Sequence, residues 1–273
     1  MDAATFELSS DLDRRIDQAA AVLLDARSVV ALTGAGLSVE SGIPPFRGPG
    51  GLWTKYGEPP LDGYQRFLRD PAKAWRERLH PTESWARGLT ETLGRAKPNA
   101  GHQALAALEE IGVLRTLITQ NVDDLHGQAG SKTLLEIHGN HALLRCLDCH
   151  TRYAQGVIAV DEANLPPLCP SCGGWIKGDT VQFGEPIPPD VLRDCYAAVA
   201  RCDCMLVIGT TATVYPAAEF PFEVLRRGGQ VIEVNPYESE LTSAATLSLA
   251  GPGGAVLPRL VHHVKRRSAG DRP

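Results

Sequence analysis

The sequence predicts an α/β protein in which a parallel β-sheet is covered by helices on both faces. Short apolar runs rich in β-branched residues have the length and composition of buried strands, and amphipathic helical segments lie between several of them. The strands are expected at 29–32, 113–118, 133–137, 205–208 and 231–234, and the helices at 11–25, 101–110, 189–201 and 217–227. Alternation of this kind brings the carboxyl ends of the strands to one edge of the sheet, where such folds bind ligands.

The composition is that of an ordinary globular protein. The 273 residues are 43% apolar and 22% charged, with a formal net charge of −5. We therefore expect no direct nucleic-acid partner, and no membrane span, because no apolar run reaches about 18 residues. The basic cluster at 265–267 is expected to belong to a solvated tail. Seven cysteines and the absence of a signal-peptide pattern favour a cytoplasmic location.

Two stretches interrupt the alternation of strands and helices. Residues 49–98 contain three of the four tryptophans, several prolines and no strand pattern, and we predict a mostly helical insertion there. Residues 142–181 have little apolar periodicity and contain four paired cysteines. They are predicted to form a small metal-binding module, inserted into a larger domain made of residues 1–141 and 182–273.

The paired cysteines have the spacing of a closed zinc site. The two C-x-x-C pairs are Cys146 with Cys149 and Cys169 with Cys172. Four thiolates can surround Zn²⁺ tetrahedrally, which makes such a site structural rather than catalytic. Four unrelated buried cysteines, a redox pair and a nucleic-acid-binding zinc module are the alternatives, and the scarcity of basic residues nearby disfavours the last. The remaining cysteines, Cys195, Cys202 and Cys204, are predicted to be core residues.

Glycines and polar side chains follow each of the five predicted strands. In chain order they are Gly34, Ala35, Gly36 and Ser38; Gln120, Asn121 and Asp123; His138; Gly209, Thr210 and Thr211; and Asn235. A Gly-Ala-Gly turn after a strand can bring backbone N–H groups close to a pyrophosphate, although a plain tight turn is the alternative. For the second set, the alternative is helix capping, with Asp123 or Asp124 as the N-cap. The usual dinucleotide fingerprint has a third glycine that is missing here. Pro44 and Pro45 prevent a continuing helix, so Phe46 and Arg47 are expected on an extended, ligand-covering loop.

Seven segments resemble, in order, the sirtuin family of NAD-dependent protein lysine deacylases. They are GAGLSVESGIPPFRG, TQNVDDLHGQAG, EIHGN, the two C-x-x-C pairs, VQFGEPIPPDVL, GTTATVYPAAEFP and EVNP, and they extend from about residue 29 to residue 235. The resemblance implies a Rossmann-like NAD-binding domain with a small zinc-binding module. It also implies NAD as a co-substrate, one structural Zn²⁺ and acyl-lysine proteins or peptides as partners. We expect a monomer.

The same resemblance implies a role for each candidate residue. The NAD pyrophosphate would be held by Gly34, Ala35, Gly36 and Ser38, and the reacting ribose and the phosphates by Phe46 and Arg47. The nicotinamide would be bound by Asn121 and Asp123, and a ribose by Gln120. The adenosine side would be bound by Gly209, Thr210, Thr211 and Asn235. The acyl-lysine cleft would be lined by Val181, Phe183, Gly184 and Glu185. The catalytic residues would be His138 and Asn121. The acyl oxygen would displace nicotinamide and leave an alkylimidate. His138 would then act as general base for a ribose hydroxyl, which attacks the alkylimidate. Water would complete the reaction, giving free lysine and O-acyl-ADP-ribose.

One departure from the family pattern bears on the acyl group. Family members that remove succinyl or malonyl groups have a Tyr-x-x-Arg pair in the helical insertion, and this chain has no tyrosine between Tyr64 and Tyr153. Neutral acyl groups, acetyl first, are therefore expected. The nearest alternative functions are an ADP-ribosyltransferase or NAD hydrolase on the same fold, and a non-catalytic NAD- or zinc-binding module. The presence of both His138 and Asn121 favours deacylation over these alternatives.

Overall fold

The fold is built on nine strands in two sheets, as described for residues 6–270 by the computed structural model. Residues 1–5, where we expect no signal peptide, and residues 271–273 lie outside the described part. The strands are β1 Val29–Thr33, β2 Leu114–Thr119, β3 Leu134–Glu136, β4 Leu143–Cys146, β5 Arg152–Ala154, β6 Ile176–Gly178, β7 Cys204–Ile208, β8 Gln230–Asn235 and β9 Leu247–Ala250.

Ten α-helices accompany these strands in the described part of the chain. They are α1 Ser10–Asp25, α2 Leu52–Tyr56, α3 Gly63–Arg69, α4 Pro71–Leu79, α5 Ser84–Arg95, α6 Ala100–Glu110, α7 Leu125–Gln128, α8 Pro189–Arg201, α9 Phe220–Arg226 and α10 Gly253–Ser268. Short 3₁₀ turns occupy Ala35–Ser41 and Ala217–Glu219. Among the helices of residues 6–270, none has both the length and the apolar character needed to cross a bilayer.

The larger sheet has six parallel strands in the order β3-β2-β1-β7-β8-β9. All five predicted strands belong to it, so the predicted parallel sheet is confirmed. The chain builds outward from β1 in one direction through β2 and β3, and then returns to the other side of β1 with β7. The strand order therefore reverses between β1 and β7, and this reversal point is where open α/β sheets form a ligand crevice.

Apolar layers cover both faces of this sheet. Val29 and Ala31 of β1 pack into the layer formed with α1, α6 and α10, whereas Val30 and Leu32 pack into the layer formed with α8 and α9. Successive side chains of a strand point to opposite faces, so a central strand buried on both sides must be apolar throughout. The three cysteines outside the C-x-x-C pairs are buried in these two layers, as predicted.

The carboxyl-terminal part differs from the prediction. Strand β9 and helix α10 were not expected, because Gly253, Gly254 and Pro258 are residues that normally interrupt helices. The helix forms because an apolar stripe that includes Leu257 and Val264 is buried against its neighbours. The basic cluster at 265–267 is consequently part of α10 rather than a solvated tail, and its two arginines form ion pairs with an aspartate of α1.

The two interrupting stretches have the predicted character. Helices α2 to α5 occupy the segment 49–98, which confirms a helical insertion. The smaller sheet has the antiparallel order β5-β4-β6 and lies between Leu143 and Gly178. A separate apolar cluster joins this sheet to α3 and α4 through Phe67 and Trp75. The division of the chain into two domains at 142 and 181 stays a prediction.

Candidate functional site

The loops after β1 and β7 pack backbone against backbone at the point where the strand order reverses. The N–H groups of Gly34 and Gly36 donate to the carbonyl oxygens of Ile208 and Gly209, at 2.9 and 2.8 Å. A Cβ atom on Gly36 would lie only 2.8 Å from the Cα of Gly209. The sequence predicts these N–H groups to face a pyrophosphate, whereas the structure uses them to join the two loops. The glycines are required because no side chain fits between the loops.

A buried cluster of hydrogen bonds connects the loops after β1 and β2. The hydroxyl of Ser38 donates to Asp123 Oδ2 at 2.6 Å, and Asn121 Nδ2 donates to both Ser38 Oγ and the Gly34 carbonyl at 3.1 Å. The other oxygen of Asp123 accepts from the Leu125 N–H at 3.0 Å and so satisfies the start of α7. The N-cap residue of α7 is Asp124, whose side chain makes no capping hydrogen bond, so this contact comes from Asp123 instead. The role of Asp123 in binding a ligand stays a prediction. Because the three side chains are buried and bonded to one another, their orientations are set before any ligand binds.

The ends of β2, β7 and β8 are connected in the same way. Gln120 Nε2 donates to Thr210 Oγ1 at 3.1 Å, and Asn235 Nδ2 donates to the Thr210 carbonyl at 3.0 Å. The Thr211 hydroxyl lies 2.8 Å from that of Thr213. The polar residues predicted from five separate segments thus lie along one edge of the larger sheet.

Phe46 and Arg47 lie on a loop that bends at residues 46–48, so the predicted extended conformation is wrong there. The Trp53 N–H of α2 donates to the Phe46 carbonyl at 2.8 Å and holds the loop against the helical insertion. The Phe46 ring is 5.0 Å from Trp53 of α2, and Trp53 is 5.6 Å from Phe183. The Arg47 guanidinium lies 4.6 Å above the Trp53 ring and 3.1 Å from Glu58. This loop therefore connects the edge of the larger sheet with the segment 181–188, and its role in covering a ligand stays a prediction.

His138 follows β3 and has a defined protonation state. Its Nδ1 lies 3.1 Å from the carbonyl oxygen of Gln120. A carbonyl oxygen only accepts, so Nδ1 carries the proton and Nε2 has the free lone pair. Burial lowers the pKa of His138 below its ordinary value, because the imidazolium form is poorly solvated there. The ring is therefore neutral at pH 7 and able to accept a proton at Nε2.

The residues after His138 fix the segment that starts at Asp179. Gly139 has a φ of +77°, and a Cβ atom on it would lie 2.8 Å from the Asp179 carbonyl carbon and closer still to the oxygen. The Asn140 N–H donates to Asp179 Oδ2, and the Val181 N–H donates to the His138 carbonyl, both at 2.8 Å. Val181, predicted to line the peptide cleft, is thus held directly beside His138.

The remaining residues predicted for the cleft divide into two groups. Phe183 and Gly184 stay partly or fully exposed, and their carbonyls accept from the Tyr64 N–H at 3.0 Å and the Gln65 side chain at 3.3 Å. The side chain of Glu185 is only 5% exposed, and its carboxylate lies 3.0 Å from Lys177 Nζ. Glu185 therefore differs from the prediction, because its carboxylate is used in a buried ion pair instead of lining the cleft.

The four paired cysteines converge on one point of the smaller sheet. Their Sγ atoms all lie within 4.8 Å of one another, with 3.5 Å between Cys146 and Cys172 and 3.7 Å between Cys149 and Cys169. Zinc–sulfur bonds of about 2.3 Å in a tetrahedron place the sulfurs about 3.8 Å apart. The cluster fits one Zn²⁺, and four protein ligands leave no coordination position for a substrate. Unrelated buried cysteines are therefore excluded.

The chain resembles known proteins over most of its length. The Sir2 family model matches residues 34–216, which contain the glycine loops, His138 and the four zinc-site cysteines. The chain belongs to the Sir2 family. A relative, the NAD-dependent protein deacylase 1 of Archaeoglobus fulgidus, is 44% identical over 247 residues, or 89% of this chain and 96% of that protein.

Two solved Sir2 structures are similar to this chain in fold as well as in sequence. A Sir2 homolog–NAD complex is 42% identical and has a TM-score of 0.75, covering 92% of this chain and 94% of that one. A Sir2 variant with a deacetylated p53 peptide and 3′-O-acetyl ADP-ribose is 34% identical and has a TM-score of 0.73, covering 93% and 98%.

A second buried polar cluster of this Sir2-family chain was missed by sequence reasoning. The Thr33 hydroxyl donates to Thr119 Oγ1 at 2.8 Å and lies 2.9 Å from His126 Nε2, while Thr119 Oγ1 accepts from the Asn121 N–H at 3.0 Å. The ring of His102 packs 4.8 Å from that of His126. The only signal in the sequence is a threonine at the end of each of two neighbouring strands. The cluster connects Asn121 to a pair of buried histidines.

Because of this histidine pair, we expect the free energy of unfolding to fall in mild acid. Burial lowers the pKa of His102 to about 4 and that of His126 to about 3. The unfolded chain binds these protons near pH 6.5 and the folded chain does not, so the stability present above pH 6.5 is lost as the pH falls. Each histidine should remove about 2 kcal/mol from the free energy of unfolding at pH 5.

Urea unfolding at pH 7.5 and pH 5 measures this loss. Between the two pH values, the free energy of unfolding of His126→Gln should fall by about 2 kcal/mol less than that of the wild type, because one titrating group is gone. His262→Gln, which replaces an exposed histidine, is the control and should behave as the wild type. An identical pH dependence in the wild type and His126→Gln would contradict the assignment.

Proposed function

We propose that this chain is an NAD-dependent protein lysine deacylase, which converts NAD, an acyl-lysine peptide and water into nicotinamide, free lysine and O-acyl-ADP-ribose. The observation that carries the proposal is the neutral His138, whose Nε2 is free to accept a proton at the sheet edge that also holds Asn121. The name of the Archaeoglobus fulgidus relative and the titles of the NAD and acetyl ADP-ribose complexes support it.

The side chains along the sheet edge have the chemistry that NAD requires. Amides and hydroxyls of Gln120, Thr210 and Asn235 can bind ribose hydroxyls and adenine, and the Arg47 guanidinium can pair with phosphate oxygens. The buried Asn121 and Asp123 would form the nicotinamide pocket, where amide and carboxylate groups match a carboxamide. Bound NAD supplies a nicotinamide leaving group on a ribose carbon, which the acyl oxygen can attack.

His138 would provide general-base catalysis. A ribose hydroxyl gives its proton to Nε2, and the Gln120 carbonyl continues to accept from Nδ1–H while the ring is charged. Burial lowers the pKa of His138, which favours the neutral ring that a general base requires. Val181 is bonded to the His138 carbonyl and would bring the acyl-lysine peptide to the same position.

The structure of the helical insertion supports a preference for neutral acyl groups. The Arg87 guanidinium donates to the carbonyls of Pro81 and Thr82, at 3.3 and 3.1 Å, and the Arg78 guanidinium lies 6.0 Å from the Trp75 ring centre. The two arginines have no tyrosine partner in a Tyr-x-x-Arg arrangement. We therefore propose acetyl-lysine as a better substrate than succinyl-lysine.

Peptide mass after incubation with and without NAD tests this function. The wild type should remove acetyl only when NAD is present, and His138→Ala should be slower by about 10²-fold or more. His262→Gln is the matched control, because it removes an exposed imidazole, and it should retain full activity. Nicotinamide release without loss of acetyl would instead indicate an ADP-ribosyltransferase or NAD hydrolase.

A further inference from the structure

Four charged side chains are buried together between the smaller sheet and the segment 181–188. Arg145, Lys177, Asp179 and Glu185 are each 5% exposed or less. Lys177 Nζ lies 3.0 Å from Glu185 Oε2, Arg145 Nε lies 3.2 Å from Asp179 Oδ1, and Arg145 Nη2 lies 3.6 Å from Glu185 Oε1. The group, called the ion quartet below, contains two cations and two anions and is neutral overall.

The strand register explains why the two cations need these carboxylates. Arg145 of β4 pairs directly with Lys177 of β6, so both side chains are on the same face of the smaller sheet. Two like charges that face each other away from water are strongly unfavourable without counter-charges. The next pair, Cys146 with Ile176, points to the opposite face, where Cys146 contributes to the zinc cluster. The ion quartet and the zinc site are thus on opposite faces of the same two strands.

The two carboxylates come from the segment that was predicted to line the peptide cleft. Asp179 precedes Val181, and its carboxylate also accepts from the Asn140 N–H. Glu185 follows Phe183, and its Oε2 also accepts from the Gln182 N–H at 2.8 Å. Both ends of the segment 179–185 are therefore held by the ion quartet, with the cleft residues Val181 and Phe183 between them.

We propose that Glu185 and Lys177 are positioning residues for the acyl-lysine peptide. Their buried ion pair holds the segment 181–185 in the conformation that receives the peptide beside His138, and it connects that conformation to the zinc-bearing sheet. Neither side chain needs to touch the peptide, since both are buried. This inference rests on the proposed deacylase function and adds a residue pair that determines how the peptide binds.

Steady-state kinetics and hydrogen exchange on single and double variants test the inference. Glu185→Gln leaves the buried Lys177 without a carboxylate partner, and Lys177→Met leaves Glu185 with only its longer contact to Arg145. Each variant should therefore raise the KM for an acetyl-lysine peptide about 10-fold. The kcat and the KM for NAD should change less than about 2-fold, because the NAD site lies on the larger sheet. Backbone amides of residues 180–185 should exchange faster in substrate-free single variants than in the wild type.

The double variant Lys177→Met with Glu185→Gln removes both charges and should recover part of the peptide affinity, because no unpaired buried charge remains. It also serves as the test if a single variant does not fold. Glu223→Gln breaks an exposed ion pair with Arg226 and is the matched control, expected to match the wild type.

Two outcomes separate this inference from the proposed function. A wild type that deacylates, beside a Glu185→Gln variant with unchanged peptide KM and unchanged exchange at 180–185, overturns the positioning role. Equal losses in kcat and in both KM values would show a merely structural role and overturn it as well. A wild type that does not deacylate overturns the proposed function itself.

Discussion

Replacing Gly139 by alanine is expected to abolish deacylation and to lower the free energy of unfolding by about 3 kcal/mol or more. The left-handed backbone at φ +77° costs a side chain about 1 kcal/mol, and the clash with the Asp179 carbonyl adds about 2 kcal/mol or more through forced backbone movement. That movement displaces both His138 and Val181, because the two residues are joined by a backbone hydrogen bond. The loss of deacylation should therefore be larger than the lowered free energy of unfolding alone would cause.

Gly156→Ala separates the two causes. Gly156 has a φ of +86°, but a Cβ atom on it would have no neighbour within 4 Å. This control should lose about 1 kcal/mol in a urea titration and retain normal kinetics. If Gly139→Ala and Gly156→Ala prove equally stable and equally active, the close approach of Asp179 to Gly139 is not important.

Removing zinc should have the second large effect. In small zinc-binding domains, metal binding contributes about 10 kcal/mol or more to folding, and here the smaller sheet has only three short strands and one apolar cluster besides. Chelation, or Cys169→Ser, should therefore unfold β4, β5 and β6 and release the ion quartet that holds the cleft segment. Deacylation should stop, while the larger sheet stays folded on its own two apolar layers.

Metal replacement distinguishes a structural from a catalytic zinc. Reloading the chelated protein with Cd²⁺, which also binds four thiolates tetrahedrally, should restore both the circular dichroism of the smaller sheet and deacylation. Metal analysis of the untreated protein should give one zinc per chain. A refolded Cd²⁺ protein without activity would show that the ion takes part in the chemistry, contrary to the closed four-thiolate site.

The parts of the fold that could be predicted are those whose pattern is local. Strands β1 and β7 are almost entirely apolar because each is buried on both faces, and β8 follows the same pattern except for the buried Glu233. The four zinc-site cysteines are recognisable from their spacing. Helix α10 was missed because Gly253, Gly254 and Pro258 outweigh its apolar stripe in any local reading. Only packing against α1 and α6 stabilises it, and that packing is not visible in the sequence.

The site could be predicted as a set of residues but not as a network. Polar side chains at strand ends indicate a ligand edge, and the structure brings them together. The burial of Lys177 and Glu185 was not predictable, because such residues are normally solvated and only the register of β4 with β6 makes their pairing necessary. The need for glycine at positions 34 and 36 also could not be predicted, because it depends on the distant loop after β7, which begins at Gly209.

The most direct test of the proposed activity is the ratio of nicotinamide released to acetyl-lysine lost in one reaction. We expect equal amounts of both, together with an equal amount of O-acetyl-ADP-ribose and no loss of acetyl without NAD. Acetyl loss in the absence of NAD, or nicotinamide release that exceeds acetyl loss many-fold, would contradict the account of this chain as a deacylase that consumes NAD.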